Sequence, residues 1–289
     1  METKLRIIYS KETKGYKGFI LTYQLKSPYN IVNSYKNHTF TARMKNTAKY
    51  ILHKLLGFKN YLFIFSLFKI KTLKRDKNEK DFFAFLELIP ENTSVLDIGA
   101  NIGIMTVHLA RSVKGVTVYS FEPMSNNIAA FKRIISYFKL KNVKLFEIAL
   151  GNSEGEVEMV MPVISNVRMQ GLSHVVHDSI PENNEGERFK VPLKMLDKMP
   201  ELMNSPQRIS AIKIDVENFE FFVLEGAKVL IAKNKPVVYA ELWENENRDK
   251  CFELFKSLNY KTVVVVDNKA VEFDIKKHRT QNFIFLTNS

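Results

Sequence analysis

Three groups of residues in this chain have types and spacings that could do chemistry. The first is Asp97-Ile98-Gly99-Ala100-Asn101-Ile102-Gly103, a carboxylate followed by two glycines four apart. Apolar Val95-Leu96 precede it and an amphipathic stretch, 105–113, follows, so a strand, a tight turn and a helix are predicted. The glycines let the backbone turn sharply and let a ligand lie against bare main chain. The second is Glu122, nineteen residues beyond Gly103 at the end of the apolar run 116–121. A carboxylate there suits the two hydroxyls of a ribose. The third is Asp215, Glu217 and Glu241, each at the end of a further apolar segment. Carboxylates at the crevice edge of a parallel sheet could supply a general base, or together hold one hard divalent metal ion. For Glu217 the competing role is capping the next helix, whose first turn favours acids.

The glycine turn has three readings. It could be purely structural, although Glu122 at the right distance argues for a ligand. It could hold a dinucleotide, but that fingerprint wants Gly-x-Gly-x-x-Gly against a pyrophosphate. Here Asn101 stands where a glycine should allow close approach, and the third glycine is missing. Asp97, just before the turn, would repel a diphosphate and attract an ammonium. S-adenosyl-L-methionine, a nucleoside with no phosphate and a cationic sulfonium, is therefore the third reading.

The elements that must position these residues alternate at α/β spacing from Asp81 onward. Helices are predicted over 81–89, 105–113, 125–138, 218–233 and 249–258. Strands are predicted at 95–98, 116–121, 143–150, 209–216, 236–242, 263–266, 271–273 and 283–286, the last pairs antiparallel. Residues 152–197 break the rhythm, with strand-like 156–161 and 189–193 flanking a polar segment that contains His174, His177 and Pro181-Glu182-Asn183-Asn184. An insertion this long reads as a lid or an acceptor-binding loop. His174 is a candidate base on it, and His108, in the helix over 105–113, is expected to be packed or exposed. Trp243, after the fifth strand, could stack on a sugar or pack in the core.

The chain has 289 residues, room for one large domain of 81–289 and an N-terminal region of 1–80. Residues 1–80 hold 18 of the 43 Lys/Arg but only four of the 31 acids, so the whole basic excess is N-terminal. Within it, 44–75 is helix-like and mixes apolar Ile51, Leu52, Leu55, Leu56 and Phe58 with lysines. Such a helix docks on its own domain or touches an anionic membrane surface. One cysteine, Cys251, excludes an internal disulfide and points to a reducing cytoplasm. No signal-peptide core follows Met1, and the longest lipid-like run, 61–68, is far shorter than the roughly 20 residues of a span. A cytoplasmic protein, with at most peripheral contact at the inner face of a membrane, is expected.

At these residues a resemblance becomes specific. Asp97 through Gly103 resembles the glycine motif of class I methyltransferases, in the Asp-x-Gly-Ala-Asn-x-Gly form typical of the FkbM family. Phe121-Glu122-Pro123 resembles its ribose-binding strand end, and Ala149-Leu150-Gly151 its third-strand end. Lys213-Ile214-Asp215-Val216-Glu217-Asn218 with Val223-Leu224-Glu225-Gly226-Ala227 resembles its Lys-Ile-Asp-x-Glu-Gly block. Asn218 departs from the usual glycine, but asparagine tolerates left-handed backbone. The match spans about residues 90–245, with Asn282-Phe283-Ile284-Phe285 similar to the last strand; residues 1–80 match nothing.

The resemblance implies a Rossmann-like class I methyltransferase fold, with a seven-stranded, mostly parallel sheet carrying one antiparallel strand. It implies O-methylation of a hydroxyl on a sugar, glycan or other small molecule. Asp97, Gly99, Ala100, Asn101 and Gly103 would hold the methionine end of the cofactor, Glu122 with Pro123 the ribose, and Ile148 with Ala149 the adenine. A protein that keeps the fold and binds cofactor without catalysis is the alternative. RNA ranks third as acceptor, because 215–218 lacks the Asn/Asp-Pro-Pro-aromatic signature of amino-group methyltransferases that act on nucleic acid.

Overall fold

The computed structural model describes residue 49 and residues 51–288, apart from 165, 166, 181–183 and 268. Most of the N-terminal region ahead of residue 51, including most of 44–50, and Pro181–Asn183 lie outside the described residues.

Helix α1 spans Phe58–Thr72 and α2 Lys80–Glu87. Strands β1 (Ser94–Ile98), β2 (Thr117–Phe121) and β3 (Val143–Phe146) alternate with α3 (Ile104–Ser112) and α4 (Ser125–Phe138). The insertion contributes β4 (Ala149–Leu150), β5 (Gly155–Ile164), β6 (Val167–Arg168), β7 (His174–Val175) and β8 (Gly186–Lys194), ahead of the short helix α5 (Pro200–Met203). After β9 (Ile209–Ile214) come α6 (Glu220–Glu225), α7 (Lys228–Asn234), β10 (Val237–Glu241) and α8 (Glu246–Ser257). β11 (Tyr260–Val266), β12 (Lys269–Glu272) and β13 (Asn282–Thr287) complete the chain.

The main sheet runs β12-β11-β13-β10-β9-β1-β2-β3. β3, β2, β1, β9 and β10 are parallel, and β13 lies antiparallel between β10 and β11. The resemblance implied seven strands and eight are present, the number of strand segments read along the chain outside the insertion. The extra one is β12, where the chain turns back at Asp267 (φ 50°) and pairs antiparallel with β11, so two strands oppose the rest. β1 is buried along its whole length, as a central parallel strand covered on both faces must be. Its side chains alternate: Leu96 and Ile98 enter one core with Phe219 and Leu224, while Val95 enters another with Phe82 and Leu109.

The strand predicted over 143–150 is two strands in two sheets. β3 ends at Phe146, and β4 joins β8, β5 and β6 in a second sheet, with β7 also paired to β5. The insertion is thus a β-structure of its own. The helix predicted over 218–233 is also split. Gly226 packs on Gly151, where a Cβ would come 2.0 Å from the Gly151 carbonyl oxygen. Asp197 then restarts the helix by accepting from Val229 N and Leu230 N at 2.9 and 2.8 Å.

The boundary expected at residue 80 moves, because the compact unit that holds the sheet runs from Asn46 to Ser289. α1 is built into it: Leu62 packs with Ile102 and Ala130, and Ile70 with Ala100, Val107 and Phe131. The outer face keeps Ile64 and Phe68 exposed, as are Ile51, Leu52 and Leu55 just before it. No helix among the described residues is long and apolar enough to cross a membrane.

Candidate functional site

The turn after β1 is held from three sides. Gly99 N and Ala100 N donate to the Phe121 carbonyl at the end of β2, at 3.1 and 2.9 Å. Gly99 has φ 72°, and a Cβ there would lie 1.8 Å from the Asp215 carbonyl oxygen, so the third side is the end of β9. Gly103 (φ 81°) starts α3 with no room for a side chain beside the Phe131 ring. Asn101, between them, is left-handed at φ 50°.

Beneath the turn lies a buried ion pair. Asp97 and Lys213 are direct partners across β1 and β9, facing the same side of the sheet. Asp97 is fully buried, accepts from the Thr106 hydroxyl of α3, and has its other oxygen 3.5 Å from Lys213 Nζ. That ammonium also donates to the Gly99 carbonyl at 2.9 Å and sits 3.8 Å from Asp215. Burial lowers the Lys213 pKa, but Asp97, Asp215 and Glu241 outweigh it and leave it raised. Asp97 lines neither cleft described below. The position expected to meet the cofactor's ammonium is instead closed by the protein's own cation, and Lys213 was the residue missed. Its signal was an ionisable residue in an otherwise apolar strand.

Two clefts open at the carboxyl ends of the parallel strands. The first encloses ≈ 600 Å³, open to solvent, and is lined by Gly99, Asn101, Glu122, Pro123, Ile148 and Ala149, all expected there, among others. Ala100 and Gly103 shape the turn without lining it. Glu122 is buried and accepts from Asn101 N (2.9 Å), Met124 N (2.8 Å) and Asn127 Nδ2 (3.2 Å). Burial pushes its carboxyl up to about 7, against those hydrogen bonds. None of the described residues lining this cleft is Lys or Arg, whereas Glu122, Asp215 and Glu217 are acidic. A diphosphate would find no counter-charge. The chemistry suits a ribose, since Asn101 Oδ1 and Asn127 Oδ1 are buried acceptors beside Glu122 with no hydrogen-bond partner among the described residues.

The second cleft, ≈ 770 Å³, is lined by Asn78, Glu79, Met105, Lys213, Asp215, Tyr239, Glu241, Gln281 and Asn282. Asp215 lines both clefts, Glu217 only the first and Glu241 only the second. Burial and then the Asp215 and Glu241 charges push Glu217 up to about 9. Burial and then Asp215 push Glu241 up to about 7. The three interact electrostatically, yet among the described residues no group of three His, Cys, Asp or Glu side chains is placed to hold a metal ion. The conditional ligand set Asp215, Glu217 and Glu241 is therefore not assembled.

Asn218 is left-handed at φ 76°, as its replacement of glycine required, and Glu217 before it is left-handed too, at φ 54°. Glu220, missed in the sequence, holds this turn by accepting from Val216 N and Asn218 N at 2.9 and 3.3 Å. Burial pushes it up to about 8. His174 is not a base: it is buried in β7, with its ring nitrogens on the Leu172 carbonyl and Asn184 Oδ1, outside both clefts. His177 packs against Phe219 and Phe222, His108 stacks edge-on to Phe83, and Trp243 is half-buried outside both clefts.

The sequence model of the methyltransferase FkbM domain matches residues 97–266, well over half of the chain, from the buried aspartate through β11. This chain belongs to the FkbM methyltransferase family. Relatives of its FkbM domain include methyltransferase 1 of Beauveria bassiana, 24% identical over 148 residues, covering 47% of this chain and 59% of that protein. An antimetabolite synthetase of Pseudomonas aeruginosa is 24% identical over 180 residues, 52% of this chain but 8% of that one. The chain thus spans less than two thirds of the length of the curated relatives it matches. Among solved structures, an FkbM methyltransferase of Methylobacillus flagellatus aligns over 68% of this chain and 44% of that one, with 15% identity and a TM-score of 0.45.

With Glu122 as the ribose acceptor, cofactor affinity is expected to depend on pH. Its ionised form is the acceptor a ribose needs, and the ligand-free protein holds a proton on it up to about 7. Binding that favours the ionised form strengthens as pH rises through that value. S-adenosylhomocysteine, the spent cofactor, should bind about tenfold tighter at about pH 8 than at about pH 6. Glu122→Gln should bind weakly and without this dependence. Calorimetric titration at both pH values checks it, and equal slopes in the two proteins would overturn it.

Proposed function

We propose that the chain is an S-adenosylmethionine-dependent O-methyltransferase acting on a hydroxyl of a sugar, glycan or glycoconjugate. One observation carries the reading: a cleft that holds the buried Glu122 and no Lys or Arg among its described lining residues shares Asp215 with a second, polar cleft. When bound, the cofactor supplies an electrophilic methyl on a cationic sulfonium. The turn through Gly99 and Asn101 would hold its methionine end, Glu122 its ribose, and Ile148 and Ala149 would border its adenine.

An alcohol is a poor nucleophile and needs a base within reach. Asp215 stands where the clefts meet, and burial followed by its charge favours the protonated forms of Glu217 and Glu241. It is the group best placed to receive the hydroxyl proton as the acceptor oxygen takes the methyl. Asn78, Gln281 and Asn282 offer both donors and acceptors, the pairing that sugar hydroxyls require. Lys213 is the one cation among the described lining residues of the second cleft, and it is buried and paired with Asp97. This supports a neutral polyol over RNA, whose phosphates call for exposed cations.

Incubation with methyl-labelled cofactor and a panel of neutral glycans and RNA oligonucleotides tests the reading. Label is expected on a sugar hydroxyl. Label on RNA would give the acceptor to nucleic acid, and cofactor binding without transfer to any acceptor would mean a binding protein.

A further inference from the structure

The insertion between β3 and β9 was expected to face the acceptor, yet part of it lines the cofactor cleft. Gln170 and Ser173 border the same cleft as Glu122 and Ala149, and neither lines the second cleft. Gln170 is 7% exposed, and its Oε1 has no hydrogen-bond partner among the described residues; nor has Ser173 Oγ. A buried amide oxygen without a partner costs its desolvation unless a ligand satisfies it.

The segment that carries them is firmly held. Met169 N donates to the Pro162 carbonyl at 2.9 Å and Leu172 N to the Met169 carbonyl at 2.9 Å. Arg168 pairs with Glu187 at 2.7 Å and stacks over Phe58, 5.2 Å from its ring centre. β7 pairs with β5 just beyond, and His174 ties back to the Leu172 carbonyl at 2.9 Å. The backbone that carries the orphan oxygens is therefore held in place beside the cleft.

We infer that Gln170 and Ser173 read the edge of the cofactor's adenine, making the insertion a determinant of base specificity. The inference rests on the nucleoside reading of the first cleft. The hydroxyls of the ribose would have Glu122 after β2, Asn101 in the turn and Asn127 in α4 as acceptors. Gln170 and Ser173 come from the insertion instead. The remaining donor of an adenosine is its exocyclic amino group, beside a ring nitrogen that accepts. An amide oxygen takes the amino proton, and a hydroxyl can give to the ring nitrogen or accept in its turn.

Calorimetric affinities for S-adenosylhomocysteine and S-inosylhomocysteine, whose base carries a carbonyl in place of the amino group, test this without turnover. The unmodified protein should prefer the adenosyl compound by about tenfold or more. Gln170→Met, which keeps the side chain's length, should lose most of that preference by weakening adenosyl binding alone. Ser173→Ala should erode it less, and it carries the test if the methionine variant melts early. Preference retained in both variants, or equal affinity for the two compounds in the unmodified protein, overturns the inference while leaving the nucleoside cleft intact. Failure of the unmodified protein to bind either compound would instead overturn the nucleoside reading, and this inference with it.

Discussion

Replacing Lys213 with methionine is expected to cost about 3–5 kcal/mol of stability, the largest loss from any single change around the site. Methionine keeps most of the length of the lysine side chain, so the change removes charge more than volume. It leaves Asp97, which has no solvent exposure, facing only Thr106, with one oxygen unpaired and no water to replace the ammonium. The Gly99 carbonyl loses its donor at the same time. Because the turn is fixed by that contact and by the end of β2, the cofactor cleft should loosen together with the fold. Paired removal separates the charge from the packing. Asp97→Asn with Lys213→Met should recover most of the lost stability, since no uncompensated charge remains. Thermal or denaturant unfolding of the three variants measures the coupling. A Lys213→Met protein as stable as the parent would show that the pair contributes nothing. Such a loss would be out of the ordinary for a single exchange, because most substitutions cost far less.

The same pair shows where the sequence could be read and where it could not. Strand, turn and helix around Asp97–Gly103 are local: an apolar run, two glycines and a 3.6-residue period lie within about twenty residues. Glu122 was legible because its distance from the turn is set by one helix and one strand. What Asp97 does was not legible, since its partner lies 116 positions away and is fixed only by the register of β1 against β9. The charge beside the turn suggested a cationic ligand; the fold supplies the cation itself. Gln170 was equally hidden. Nothing in Met169-Gln170-Gly171-Leu172 marks a binding segment, and it reaches the cofactor cleft only through the pairing of β5 with β6, β7 and β8. The split of the 143–150 strand has the same origin, because its second half is claimed by β8. His174 misled in the opposite direction: a histidine on a polar stretch offers itself as a base, but β-pairing buries it.

Asp215→Asn is expected to lower the methyl-transfer rate constant by about 10²–10⁴-fold, the range lost with a positioned general base. The side chain is nearly isosteric, and Lys213 keeps Asp97 as its closer partner, so folding and S-adenosylhomocysteine affinity should change little. The loss should fall on kcat rather than on the KM for cofactor, which a merely structural role would not produce. The neighbours sharpen the expectation. The Asp215 charge is the first electrostatic cause of the raised Glu217 and Glu241 values, after burial. Removing it lets both carboxyls ionise at lower pH than they do in the parent. Glu217→Gln, by contrast, alters a carboxyl that holds its proton up to about 9 and should cost far less near neutrality. Initial rates with a saturating acceptor, measured across pH for the parent, Asp215→Asn, Glu217→Gln and Glu241→Gln, decide the assignment. If Asp215→Asn keeps more than about a tenth of the parent's kcat while Glu217→Gln or Glu241→Gln collapses it, the base is the other carboxylate. Asp215 would then be left to hold the turn of Gly99 from behind.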